Sequence, residues 1–238
     1  REFSAEDLFT RSNHQTKLQM LTYIVNSLYK NGKSVESLEY SDKLHAAMKE
    51  YERLHYDRFH FFYYNALVFN YSDTDPEKAI EILLDLEKSD RMQNTSFYRL
   101  FVYLNLSVLY YWNGNFRISI KYLNKLYLDD SYKNADPSLR FRITIVEMLI
   151  RMELDDTDFL AYRLDQVRKD HKKDLKEPLN SRANGVLNLI EQIALNSVNT
   201  NSKEFKKEVK EFKRTVNPDT EESELITYNE WIDGKMNL

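Results

Sequence analysis

Three features of this chain predict an all-α fold, a solenoid of stacked helix pairs. The first is a degenerate repeat. Residues 100–131 read LFVYLNLSVLYYWNGNFRISIKYLNKLYLDDS, and forty residues earlier 60–91 read HFFYYNALVFNYSDTDPEKAIEILLDLEKSDR. Asn105 answers Asn65, Ser119 answers Ala79, Ile120 answers Ile80 and Leu126 answers Leu86. Two amphipathic helices about a polar turn, returning at a fixed period, mark hairpins that bury one another's apolar faces. The second is the scarcity of turn residues, 4 Gly and 4 Pro in 238, too few for sheets or long loops. The third is composition: 42% hydrophobic residues, ample for a packed core.

The elements follow in order. Ser4, with Glu6 and Asp7 behind it, reads as a helix start with acids in the first turn. From Gln15 to Lys30 one face carries Leu18, Leu21, Ile24, Val25 and Leu28, and Asn31-Gly32 ends the helix. Ser34 opens a second helix predicted to reach Leu54. A helix over Tyr56–Tyr71 is followed by the turn Ser72-Asp73-Thr74-Asp75-Pro76, with Asp75 as N-cap and Pro76 at the first helical position. The next pair is Ser96–Trp112 and Phe116–Leu128 about Asn113-Gly114-Asn115. Asp136-Pro137 repeats the cap-then-proline signal before Leu139–Leu154, and Phe159–Lys173 completes that pair after the acidic turn Asp155–Asp158. Pro178 opens a helix with Val186, Leu187, Leu189, Ile190, Ile193 and Leu195. A short charged helix spans 203–214, Asn217-Pro218 breaks the chain, and an acidic helix runs from Asp219 to Met236. The expected organisation is about five helix pairs, a repeat domain over 1–178 and a capping helical segment over 179–238.

Residues 103–126 resemble the tetratricopeptide repeat (TPR) family. Tyr103, Leu106, Ser107 and Tyr110 fill the first helix's packing positions. Gly114 and Phe116 match the glycine-then-aromatic turn, and Ser119, Leu123 and Leu126 fill the second helix. At 63–86, Ala66, Leu67, Ala79, Leu83 and Leu86 fit, while Asn70 stands where the pattern has an aromatic and Thr74 where it has glycine. Gly32, Ser37 and Leu44 fit in the pair at 21–44, and Ala161 in the pair from 139. Spacings nearer 40 than 34 depart from the family and ask for longer helices or looser turns. The resemblance implies a right-handed superhelix whose concave face is lined by the first helix of each pair. It assigns that face Phe61, Tyr64, Asn65, Val68 and Tyr71 in one repeat and Phe101, Leu104, Asn105, Val108, Tyr111 and Trp112 in the next. So apolar a strip either takes an extended peptide or is covered by other helices. Asn65 and Asn105 match the position from which the family's Asn bonds a peptide backbone. The basic clamp of chaperone-binding members is missing, since its positions hold Phe61, Tyr64, Phe101, Leu104, Ile143 and Glu147.

Other chemistry is bounded by what the chain lacks. There is no Cys, hence no disulfide, thiolate zinc site or Cys nucleophile. His14, His45, His55, His60 and His171 are scattered, and His55 and His60 are five apart, off a shared helix face. No HExxH, phosphate loop, GxGxxG, calcium loop or serine elbow occurs. Asp155, Asp156 and Asp158 read as a capping turn. Two basic stretches, Arg163–Lys176 and Lys203–Arg214, are interleaved with acids, and the net charge of −4 gives no pull toward nucleic acid. No run reaches the roughly 20 apolar residues of a membrane span.

These observations set the expectations. The chain is a non-catalytic protein- or peptide-binding scaffold without cofactor or metal. The alternative is a peptide-sensing regulatory module, with an RNA-binding helical repeat ranked below both. A soluble, cytoplasmic setting is favoured, with a trimmed export signal left open by the start at Arg1.

Overall fold

The computed structural model describes residues 9–94, 96–177, 180–195, 198–216 and 224–236. Among these there are helices and turns and no strand. Two compact units divide at Tyr98 and Arg99. The expected helix start at Ser4, together with Pro178 and Asn217-Pro218, lies outside the described residues.

The first unit contains α1 (His14–Lys30), α2 (Ser34–Met48), α3 (Tyr56–Thr74), α4 (Pro76–Glu87) and the short α5 (Asp90–Asn94). α1 packs on α2, α2 on α3, and α3 on α4, with α1 also touching α3. Leu18, Leu44, Ala47, Met48, Phe59 and Tyr63 form the core between the first three. Asn70 explains why the aromatic expected there is absent. It is wholly buried, and its amide donates to Ser37 Oγ at 2.9 Å and to the Ala66 carbonyl at 2.8 Å. Ser37 in turn donates to the Val25 carbonyl at 3.0 Å, so one polar chain joins α3, α2 and α1.

The second unit contains α6 (Ser96–Trp112, which straddles the division), α7 (Phe116–Leu128), the short α8 (Asp130–Lys133), α9 (Pro137–Glu153), α10 (Thr157–Asp170), α11 (Ser181–Ile190), α12 (Lys203–Arg214) and α13 (Tyr228–Met236). α9 is buried continuously from Ile143 to Ile150, as a helix enclosed on every side must be. It packs against α7, α10 and α11. Phe205, Val209 and Phe212 of α12 and Tyr228, Trp231 and Ile232 of α13 join the same core. The guanidinium of Arg182 on α11 ties these C-terminal helices together. It bonds Glu224, the Phe212 carbonyl at 3.2 Å, Thr215 Oγ1 at 3.4 Å and Asn229 Oδ1 at 3.1 Å.

Four hairpins recur among the described residues, where the sequence suggests about five. Three of their turns share one geometry. Gly32, Gly114 and Asp155 sit at φ of +70°, +69° and +55°. At each, that residue and its successor close two backbone bonds onto the preceding helix, to Tyr29 and Leu28, Tyr111 and Tyr110, and Met152 and Arg151. This is the glycine-type Schellman end, with aspartate standing in at the third. Five residues on, the second helix meets the first. There Ser37 donates to Val25 and Ser119 to Ser107, each pair 12 residues apart. The same count places Leu160, not Ala161, at the contact in the last pair. Leu160 is buried and Ala161 exposed, because Asp155 shifts the register by one from the sequence alignment.

The forty-residue period also has a structural cause. A one-turn helix follows each of the first three second helices, beginning at Glu50, Asp90 and Asp130, and lengthens the unit toward that spacing. Each such turn, or its N-cap residue, is ion-paired to the first helix of its own pair. Lys17 Nζ lies 2.7 Å from Glu50, Arg91 pairs with Asp57, and Arg99 Nε lies 2.6 Å from Asp129. The first of these turns is left-handed, with Tyr51, Glu52 and Arg53 at φ of 50°, 59° and 65°. The second helix therefore stops at Met48 and does not reach Leu54. Two further boundaries differ. α3 runs one turn past Tyr71, to Thr74, whose hydroxyl donates to Asn70 O. The last described helix starts at Tyr228, after Glu224 accepts the Tyr228 N–H at 2.8 Å.

Candidate functional site

In the first unit the expected strip is largely committed to the protein itself. Val68 is wholly buried. Phe61 packs on Phe97 with ring centres 4.6 Å apart, and Tyr64 packs on His60 at 4.5 Å. Tyr71 accepts a bond from Lys78 Nζ at 2.8 Å. Asn65 is partly exposed. The open side of α3 lies one residue round from Phe61 and Val68: Phe62 is 42% exposed and Phe69 38%. Phe69 stacks on Tyr29 of α1 at 5.9 Å. Met20, Tyr23 and Ile24 of α1 are exposed as well, Tyr23 to 70%. These rings are not legible in the sequence, because HFFYYNALVF carries aromatic and apolar residues on every side and its pattern selects no face.

The same unit gathers four of the five histidines. His14 stacks on His55 at 5.9 Å and meets Tyr51 at 4.8 Å, while His45 stacks on Tyr63 at 4.4 Å. His60 Nδ1 and Tyr98 OH share a hydrogen bond of 2.7 Å. Burial, with Arg91 nearby, pushes His60 down to about 4, and burial pushes Tyr98 up to about 12. Both are therefore neutral at pH 7, and their bond links α3 to Tyr98. Among the described residues no three His, Asp or Glu side chains converge to hold a metal ion.

In the second unit Phe101, Leu104 and Tyr111 are buried, the last two in the common core, and Val108 packs against it. The Asn105 amide donates to the Phe101 carbonyl of its own helix at 2.8 Å. Trp112 is 41% exposed. It and Tyr111 form one wall of a cavity of about 220 Å³, completed by Phe116, Trp231, Glu153, Glu230 and Lys235, with Gly114 and Gly234 at its edges. Tyr111 meets Trp112 and Phe116 at 5.4 and 5.5 Å. Lys235 Nζ donates to Glu153 at 2.7 Å. Burial first, and then Glu153, raise the Tyr111 phenol well above its usual range. The indole N–H of Trp231 is buried without a hydrogen-bond partner. Trp231 escaped the sequence analysis because nothing in its local pattern brings α13 to the end of α6.

The basic stretches are partly neutralised. Arg163 pairs with Glu147, Arg168 with Glu191, and Lys213 with Asp233. Among the described residues no helix is long and apolar enough to cross a membrane. No protein-family model, curated protein or solved structure matches this chain.

Proposed function

We propose that the chain is a TPR-like helical-repeat interaction module that holds a protein or extended peptide without catalysing its conversion. The recurrence of hairpin, left-handed turn residue, 12-residue serine contact and one-turn spacer supports a repeat architecture whose job is to present helix faces. The observation that carries the reading is the set of exposed apolar side chains on α1 and α3. Tyr23, Phe62 and Phe69 are exposed, as are Met20 and Ile24. Rings left uncovered in this number favour a partner surface, where Tyr, Phe and Met are enriched. The binding face is therefore taken one residue round α3 from the strip expected from the family pattern, at Phe62 and Phe69 in place of Phe61 and Val68.

The test is affinity capture from the source cell with the intact chain and with Phe62→Ser/Phe69→Ser. Helix content by circular dichroism should stay unchanged, because both side chains are solvent-exposed. A reproducible partner held by the parent and lost by the variant supports the reading. Identical capture by both rejects the assigned face.

A further inference from the structure

The cavity between α6, the α6–α7 turn and α13 has features that select its occupant. Its volume, about 220 Å³, is below the roughly 300–1,000 Å³ of drug-sized pockets and suits one side chain. Its walls are aromatic, with Trp112 the most open. Its formal charges are Glu153, Glu230 and Lys235. Glu153 is matched by Lys235 at 2.7 Å, which leaves the exposed Glu230 to set the sign. An aromatic pocket of net negative charge favours a cation over a ring face.

Resting on the interaction-module reading above, we infer that this cavity receives an arginine side chain of a bound peptide. The guanidinium lies on the Trp112 ring and faces the Glu230 carboxylate. Arginine is preferred to lysine because its planar fork both stacks on indole and pairs with a carboxylate through two N–H groups.

The chain's 2 tryptophans are Trp112 and Trp231, so intrinsic tryptophan fluorescence reports on this cavity alone. The full chain is titrated with acetyl-Gly-Arg-Gly-amide and with the Lys, citrulline and Leu peptides of the same frame. The expected result is a saturable change with the arginine peptide and affinity about ten-fold weaker for the neutral citrulline and Leu peptides. Glu230→Gln should weaken arginine binding several-fold. Gly234→Leu should abolish it by filling the cavity, since a Cβ at Gly234 meets no atom within 4 Å. The inference is overturned by the absence of a saturable change with the arginine peptide. Equal affinity for citrulline, or unchanged binding to both variants, overturns it too. Partner loss on Phe62→Ser/Phe69→Ser without arginine binding sinks this inference and leaves the module intact. Arginine binding with unaltered capture by that double variant rejects the Phe62 and Phe69 face and leaves this inference standing.

Discussion

Arg182→Met should be the costliest single change in the second unit. Arg182 and Glu224 are 2% and 3% exposed at their side chains and directly paired. Methionine keeps the apolar stem against Phe212, over whose ring the guanidinium now lies at 4.7 Å. Of the acceptors that lose a donor, the Phe212 carbonyl retains Thr215 Oγ1 at 2.7 Å. Asn229 Oδ1 loses its bond, and Glu224 keeps the bond from the Tyr228 N–H. Removing one partner of a buried pair typically costs about 3–5 kcal/mol, most of it the uncompensated charge. With a urea dependence of about 2 kcal/mol per molar, the unfolding midpoint should fall by about 2 M. Arg182→Met/Glu224→Leu should regain all but about 1 kcal/mol, the residue being the lost cap on α13. Tryptophan fluorescence during urea unfolding reads both, since Trp231 is buried in the same core. A midpoint shift under about 0.5 M for the single variant, or a double variant no better than it, would refute the electrostatic account.

Three other outcomes follow from the geometry. The folded chain holds His60 at about 4 against 6.5, chiefly by burial, among Asp57, Arg91, His45 and Arg53; His14 and His45 are also lowered by burial. The unfolded chain therefore binds the extra protons, so stability is complete above pH 6.5 and is lost as pH falls toward 4. Urea titrations across that window should show the slope, and His60→Gln should flatten it. Ser119→Val crowds the point where α7 meets α6 and should cost about 1–3 kcal/mol, against about 1 for Ser119→Ala, both read by thermal unfolding. Gly114→Ala should destabilise by about 1 kcal/mol and Asp155→Gly should stabilise by up to about that much, because both positions have positive φ. Equal responses at the two turns would contradict a shared geometry.

The hairpins are legible in the sequence because their signals are local. Asp75-Pro76 and Asp136-Pro137 cap as read, with Asp75 accepting from Lys78 N and Asp136 from Ser138 N. Gly32 and Gly114 terminate as read. What stays hidden depends on distant partners. Asn70 looks like a defect until Ser37 is placed beside it. Asp155 does a glycine's work without being one, which moved the last repeat by a residue and put Ala161 in the wrong place. Histidines far apart in sequence meet because α1, α2 and α3 bring their ends together. The face of α3 could not be chosen because rings occupy every side of it. Among the expected site residues, Tyr111 and Trp112 do share a cavity, but its other wall comes from α13, more than a hundred residues away.

The left-handed Tyr51–Arg53 turn is the one place where a spacer winds against its counterparts. Three successive L-residues at positive φ are each disfavoured by roughly 1–2 kcal/mol, so their neighbours must impose that winding. Tyr51 lies against His14, and Glu50 is held by Lys17. Rewinding those few residues to the ordinary hand would swing the tyrosine off the imidazole and open that corner of the first unit to water. The chirality of a single spacer thus acts as the latch on a buried histidine.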